Sequence, residues 1–327
     1  MIDAFLDAHG FGPAARAPLP GDASFRRYTR LLGGPRPAML MESPAEPVAP
    51  FLTVARHIAG IGLSAPEIIA EDLARGLLLI EDFGDATHAA LLDGGTVPEP
   101  LYAEAVAALA VLHEAPPPPG LPAWDAAAMA RATAATFLDW WWPAALGVPP
   151  TPAQRAGLDQ ALHDMLAPFA QQGFVHRDYF PANLMRLEGR AGARACGIID
   201  FQDAALGHPA YDLVSLVEDA RRDVAPVLRA AMVSSYLARR PGLDADDFRA
   251  AMAACAAQRH LRVAALWVRL DRRDGKPHYL AHGPRCWALL DAALEHPATR
   301  PLAEFLDAHV PRSRRGNPGA PKGLDEA

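Results

Sequence analysis

The chain of 327 residues carries 38 acidic against 31 basic side chains, a formal charge of −7, with 51% hydrophobic and 21% charged residues. This is a globular composition that excludes a disordered chain and argues against nucleic acid as a partner, since phosphate-backbone binding needs a basic stripe. No apolar run reaches roughly 18 residues, and the first ten residues hold acids where a secretory signal places positive charge, so the expectation is a cytoplasmic protein with no membrane association.

The length suits about two domains. Cys196, Cys255 and Cys286 are scattered, odd in number and never spaced as a zinc-ligand pair, so they are read as small buried hydrophobes. Residues 25–32 are aromatic and branched, 33–37 are Gly-Gly-Pro-Arg-Pro, and 38–41 are apolar, which predicts a hairpin. Phe51, Val54, Ala55 and Ile58 recur at helical spacing until Gly60 and Gly62 stop the run. Residues 68–73 and 77–80 read as strand, turn, strand. After residues 81–84 the pattern turns helical, with stripes at Leu101, Ala105, Ala108 and Leu112 and later at Val263, Trp267 and Leu270. Residues 116–120 are a stiff proline connector, and the Gly, Pro and charges from 311 onward predict a disordered tail. One strand-like island, 184–187 and 196–199, interrupts the helical region.

Chemistry gathers at that island. Residues 176–183 spell His-Arg-Asp-Tyr-Phe-Pro-Ala-Asn just before an apolar strand, and Asp200 ends the next one, seventeen residues after Asn183. Phosphoryl transfer needs such a set: a carboxylate near the acceptor hydroxyl, and an amide oxygen with a second carboxylate to hold Mg²⁺ on the phosphates. Asp178 alone would read equally well as a turn residue or helix cap; Asn183 and Asp200 in register favour chemistry. His176 reads as a structural histidine or as an acid/base group. Asp212, before an apolar helical run, is read as a cap or as a buried partner holding the catalytic loop.

Residues 176–183 with Asp200-Phe201 resemble the catalytic and metal loops of the protein-kinase-like fold, and 207–212 resemble its aminoglycoside phosphotransferase branch. Residues 21–30, 81–85 and 269–280 are similar to the bacterial kinases that phosphorylate the anomeric hydroxyl of N-acetylmuramate and N-acetylglucosamine in cell-wall recycling. The resemblance runs in order to about residue 310. It implies an α+β, bilobal protein-kinase-like fold, with a small N-lobe (1–84) of antiparallel sheet and one helix. A larger, mainly helical C-lobe (85–310) and the tail 311–327 follow. It implies ATP and Mg²⁺ as cofactors, Asp178 as catalytic base, His176 as the loop's buttress, Asn183 and Asp200 as metal ligands, and a small-molecule acceptor, an amino sugar, with no obligate protein partner.

The family's N-lobe Lys is missing: Met41 stands about where it belongs, and the partner acid is also absent near Phe51, at the start of the following helix. The phosphate charge is then assigned to Arg26, Arg27 or Arg30, the alternative being a solvated strand face, with Ser24 in a loop that offers backbone N–H groups. The connector with Glu81 and Phe83 is where the fold places adenine; the Glu81 and Asp82 side chains read equally as solvated hinge charges. For the acceptor, Trp140 and Trp141 belong to an aromatic cluster, since three consecutive tryptophans cannot share one helix face; core packing is the alternative. Arg269, Arg272 and Lys276 supply charge for a sugar carboxylate, or form a solvated helix end. Two competing readings stand beside the sugar kinase: an aminoglycoside or other small-alcohol phosphotransferase, and a nucleotide-binding regulatory pseudokinase suggested by the missing Lys and Glu.

Overall fold

A computed structural model of the chain describes residues 2–20, 26–43 and 48–319. The chain divides into two compact units, Met1–Pro119 with Pro181–Ala204, and Gly120–Phe180 with Ala205–Ala327. The division does not follow a boundary at residue 84, because residues 85–119 and the island that carries Asn183 and Asp200 group with the N-terminal sheet.

The first unit is built on five antiparallel strands, β1 (Ala15–Pro18), β2 (Arg27–Leu32), β3 (Ala38–Glu42), β4 (Ile68–Asp72) and β5 (Leu77–Glu81), in the order β1-β2-β3-β5-β4. β2 and β3 are the expected hairpin, in register from Arg27 opposite Glu42 to Leu31 opposite Ala38. Alternation gives the sheet two different faces. Leu31, Ala38, Leu40 and Leu79 join a core with Phe5 and Leu6 of helix α1 (Ile2–Ala8) and with Phe11. The opposite face carries the paired rows Arg30, Met39, Ile80 and Tyr28, Met41, Leu78. Neither α1 nor β1 was signalled by the sequence: α1 buries only two residues, and β1 is an edge strand with no buried position. The helix expected around 51–58 is α2 (Ala49–Gly60), which buries Phe51, Leu52, Val54, Ala55 and Ile58.

Helices α3 (His88–Asp93) and α4 (Pro98–Glu114) complete this unit with the later hairpin β8 (Leu184–Arg186) and β9 (Cys196–Ile198). Main-chain bonds tie that hairpin to the N-terminal segment: Ile198 N–H donates to Ser64 O at 2.8 Å and Arg186 N–H to Ala86 O at 2.8 Å. Gly197 is required there, because a Cβ would meet the Phe83 ring at 2.9 Å.

The second unit is helical around α10 (Ala245–Asp274), with α5 (Ala126–Thr136), α6 (Trp142–Leu146), α7 (Pro152–Leu166), α8 (Ala210–Val217), α9 (Pro226–Arg239), α11 (Gly283–Ala293) and α12 (Arg300–His309). It also holds a small sheet of β6 (Ala123–Trp124), β7 (Gly173–Val175) and β10 (Ala205–Gly207) in the order β6-β10-β7. The Asp244 carboxylate caps α10 by accepting from the N–H groups of Asp246 and Asp247, and Gly275 ends it in the left-handed region at φ 65°. Buried Gln258 on α10 donates to Met129 O and Thr133 Oγ1 of α5, which fixes the two helices in register. No described helix is long and apolar enough to cross a membrane.

The tail departs from expectation over 311–319. Asn317 bridges Trp287 Nε1 and Ala264 O at 3.0 Å each, Gly316 O accepts from Trp141 Nε1 at 2.8 Å, and Arg315 pairs with Asp307. Buried indole and carbonyl groups needed partners, and this segment supplies them. Residues 320–327 lie outside the described residues. All three cysteines are buried thiols, and burial pushes the thiol of Cys255 up to about 12 and that of Cys286 up to about 11.

Burial pushes the His88 imidazole, reinforced by Arg186, down to about 4. Folding lowers this pKa, so its contribution to stability is complete above pH 6.5 and is lost as the pH falls toward 4. The expected penalty is about 3 kcal/mol, read as a fall in the urea midpoint between pH 7.5 and 4.5. His88→Gln should flatten that fall; an unchanged pH slope in the variant would remove His88 from the account.

Candidate active site

β7 delivers the chain into the loop that starts at His176. The Asp212 carboxylate, fully buried on α8, accepts from His176 N–H at 2.6 Å and from Arg177 N–H at 2.9 Å. Arg177 is one of only two described non-glycine residues with positive φ, at 74°, and its guanidinium lies 4.1 Å from the centroid of the Trp124 ring. A strained backbone of this kind, costing about 1–3 kcal/mol, persists where surrounding contacts over-determine it. Here a buried carboxylate holds the N–H groups and an indole holds the side chain. The His176 ring is fully buried, edge-on to Tyr179 at 5.6 Å.

Asp178 follows at once, half-buried, and its carbonyl accepts from Phe180 N–H at 3.1 Å. Arg262 of α10 feels its charge, donates to Tyr211 Oη at 3.2 Å and faces the Trp124 ring at 5.8 Å. Burial would lower the Arg262 pKa, but the nearby Tyr211 hydroxyl and the Asp178 charge hold it above the ordinary arginine value. Arg262 carries no sequence signal for this placement, because a cation inside a long helical stripe reads as a solvated face.

In the first unit, Asp200 is the second positive-φ residue, at 59°, and it is exposed. Asn183 Nδ2 donates to one of its carboxylate oxygens at 3.3 Å and Gln202 Nε2 to the other at 2.9 Å. Ile199 N–H donates to Asn183 O at 3.1 Å, so the β8–β9 hairpin brings the two expected ligands together. An amide oxygen and a carboxylate are hard donors that suit Mg²⁺, which keeps most of its shell for water and phosphate. No group of three or more His, Cys, Asp or Glu side chains that could hold a metal occurs among the described residues, and a phosphate-bridged Mg²⁺ needs none.

The place of the missing Lys and Glu is apolar. Met41 and Phe51 are buried, and the Phe51 ring packs on Phe201 with centroids 4.8 Å apart. Arg30 is engaged elsewhere: its guanidinium makes four hydrogen bonds, to both carboxylate oxygens of Asp82 and of Asp85, at 2.6–3.2 Å. That takes it out of the trio expected to meet phosphate. Arg27 stands in register with Glu42 and Leu77, on the face opposite Met41, which alternation dictates. Arg26 precedes β2 and is half-buried; Ser24 lies outside the described residues. The Glu81 carboxylate pairs with Arg190 at 2.5 Å and the Phe83 ring packs under the same guanidinium at 5.3 Å. Both side chains thus have a partner within the protein, and the connector's backbone is the part expected to serve adenine.

The acceptor candidates separate. Trp141 belongs to the core, stacked on Phe137 at 4.8 Å and tilted against Trp287 at 5.2 Å, with its N–H used by Gly316. This corrects its expectation as a sugar platform, since burial of neighbouring indoles supplied the packing explanation. Trp142 is equally buried, and Trp140 is half-buried. Arg272 is exposed beside Asp271 at 3.3 Å, Lys276 donates its N–H to Leu270 O at the end of α10, and Arg269 is half-buried, its pKa lowered by burial and by Arg273. The sequence did not signal a further cation, Arg221, which lies over the rings of Phe180 and Trp267.

Removing the Asp212 carboxylate takes the acceptor from the buried His176 N–H and the part-buried Arg177 N–H. Asp212→Ala should lower unfolding free energy by about 3 kcal/mol and abolish turnover, measured by denaturant melts beside activity. A variant as stable and active as the parent would contradict the loop's dependence on this group.

A model of the phosphotransferase enzyme family matches residues 16–249. The N-acetylmuramate/N-acetylglucosamine kinase of Caulobacter vibrioides is 36% identical, covering 95% of this chain and 96% of that one. Among solved structures, a choline/ethanolamine kinase family protein from Mesorhizobium loti aligns over 93% of this chain and 97% of its own, with a TM-score of 0.63 at 17% identity. An aminoglycoside phosphotransferase in ternary complex with AMP-PNP and hygromycin B aligns over 89% of this chain and 98% of its own, with a TM-score of 0.57 at 18% identity. The family match over residues 16–249 and a relative 36% identical across nearly the whole chain establish that the chain belongs to the phosphotransferase enzyme family.

Proposed function

We propose that this protein is a cytoplasmic kinase that transfers the γ-phosphoryl group of ATP to the anomeric hydroxyl of N-acetylmuramate and N-acetylglucosamine. The observation that carries the reaction type is the loop held by Asp212, which presents Asp178 from a fixed backbone. The choice of sugar is supported by the relative that carries this name at 36% identity over nearly the whole chain.

In this reading Asp178 orients the C1 hydroxyl and accepts its proton as the oxygen attacks phosphorus in line, and no covalent enzyme intermediate forms. Arg262 keeps a positive charge near Asp178, and Asp212 keeps the loop from relaxing as Asp178 takes up the proton. Asn183 and Asp200 would hold Mg²⁺, which would supply positive charge against the phosphate oxygens. Of the three arginines, Arg26 is the one assigned to the phosphates, because alternation sets it on the Met41 side of the sheet. The adenine base is read by the backbone of residues 81–83.

The test is ADP release with N-acetylmuramate, N-acetylglucosamine, kanamycin or no acceptor. Turnover is expected with the two sugars only, falling about 1,000-fold in Asp178→Asn while ATP binding by calorimetry persists. Asp200→Asn should raise the Mg²⁺ concentration for half-maximal rate about tenfold. Turnover with kanamycin alone would replace the sugar with a cationic acceptor, and ATP binding without turnover on any acceptor would favour a regulatory module.

A further inference from the structure

The connection after α8 places a cation beside the catalytic loop that, among the described residues, no ion pair neutralises. Asp219 is buried, and its Oδ1 accepts from Arg221 N–H at 2.9 Å, which fixes the Arg221 backbone. The Arg221 guanidinium carbon sits 4.6 Å from the Phe180 ring centroid and 5.1 Å from that of Trp267. Both rings are held firmly. Trp267 is buried, stacked on Tyr279 at 5.1 Å with planes 5° apart, and its Nε1–H points to Cys286 Sγ at 3.3 Å. Phe180 is also buried, and its N–H donates to the Asp178 carbonyl.

Aromatic faces attract a guanidinium through the ring quadrupole and leave its net charge intact. They also leave open what a carboxylate needs, the N–H fork in the guanidinium plane. Among the described residues no carboxylate forms an ion pair with Arg221, whereas its neighbour Arg285 is matched by Asp223 at 2.5 Å and 2.9 Å. His282, half-buried and 5.7 Å from Trp267, is depressed in pKa by burial and then by Arg221 and Arg285, with Asp219 offsetting only in part, so the local field is positive.

N-acetylmuramate differs from N-acetylglucosamine by a lactyl ether on C3 that ends in a carboxylate, a few bonds from the reacting C1 oxygen. We propose that Arg221, held by Phe180 and Trp267, is the carboxylate-recognising residue of the acceptor site and sets the preference between the acidic and the neutral sugar. The proposal rests on the sugar-kinase reading above. It moves this role from Arg269, Arg272 and Lys276, at the end of α10, to a residue in contact with the catalytic loop.

The test compares kcat/KM for N-acetylmuramate and N-acetylglucosamine in the parent, Arg221→Gln and Arg221→Lys. It adds direct calorimetric binding of N-acetylmuramate to the parent and Arg221→Gln in the absence of nucleotide. Loss of one charge-assisted fork should cut the ratio of the two kcat/KM values about 30-fold in Arg221→Gln, mainly through the KM for the acidic sugar. Arg221→Lys, which keeps the charge without the fork, should fall between. An unchanged ratio in both variants, or an equal loss for both sugars, would overturn the assignment. Arg221-dependent binding of N-acetylmuramate by a parent that phosphorylates neither sugar would overturn the proposed reaction and retain the subsite. A parent that shows neither turnover nor binding would overturn both.

Discussion

A carboxylate removed from water is costly unless hydrogen bonds replace its hydration, and Asp212 is fully buried. Two of the replacing bonds come from His176 and Arg177, so the group that needs satisfaction and the loop that needs support solve each other's problem. Every residue of α8 is buried, which leaves Asp212 no freedom to follow a moving loop. The left-handed turn at Arg177, the edge contact of His176 on Tyr179 and the placing of Asp178 all depend on this anchor. Catalysis by positioning requires such rigidity, because a small displacement of a base costs far more rate than it costs stability.

The nucleotide side makes a different use of charge. Where relatives of this fold are expected to bury a Lys–Glu pair, this chain buries Met41 and Phe51 and packs Phe51 on Phe201. Replacing both members of a buried ion pair with apolar groups is tolerated, whereas leaving one charge alone is not. The arginine best presented by β2, Arg30, is spent on Asp82 and Asp85 and joins the strand to the connector after β5. Ionic chemistry has thus moved from the helix that follows β3 to the connector itself.

What could be read from the sequence was the chemistry carried by neighbours in the chain. Residues 176–183 and Asp200 stand out because a catalytic loop and a hairpin are local devices, and Asp212 was legible as a buried partner because it opens an apolar helix. The hairpin at β2 and β3 and the helix α2 followed from period and breakers. The sequence was silent on α1 and β1, whose few buried positions leave no pattern, and it misassigned Trp141 and residues 311–319, which satisfy each other across a long separation. Arg221 and Arg262 were illegible for the same reason: each is defined by rings and acids that lie far away along the chain.

The central claim is that the loop held by Asp212 directs Asp178 at an anomeric hydroxyl. Phosphorus NMR on the product formed from N-acetylmuramate and Mg-ATP tests it most directly, because a phosphate ester at C1 couples to the anomeric proton and one at any other carbon does not. The account predicts a new signal coupled to the anomeric proton and absent with Asp178→Asn. A product phosphorylated at another hydroxyl, or the same signal produced undiminished by the variant, would contradict it.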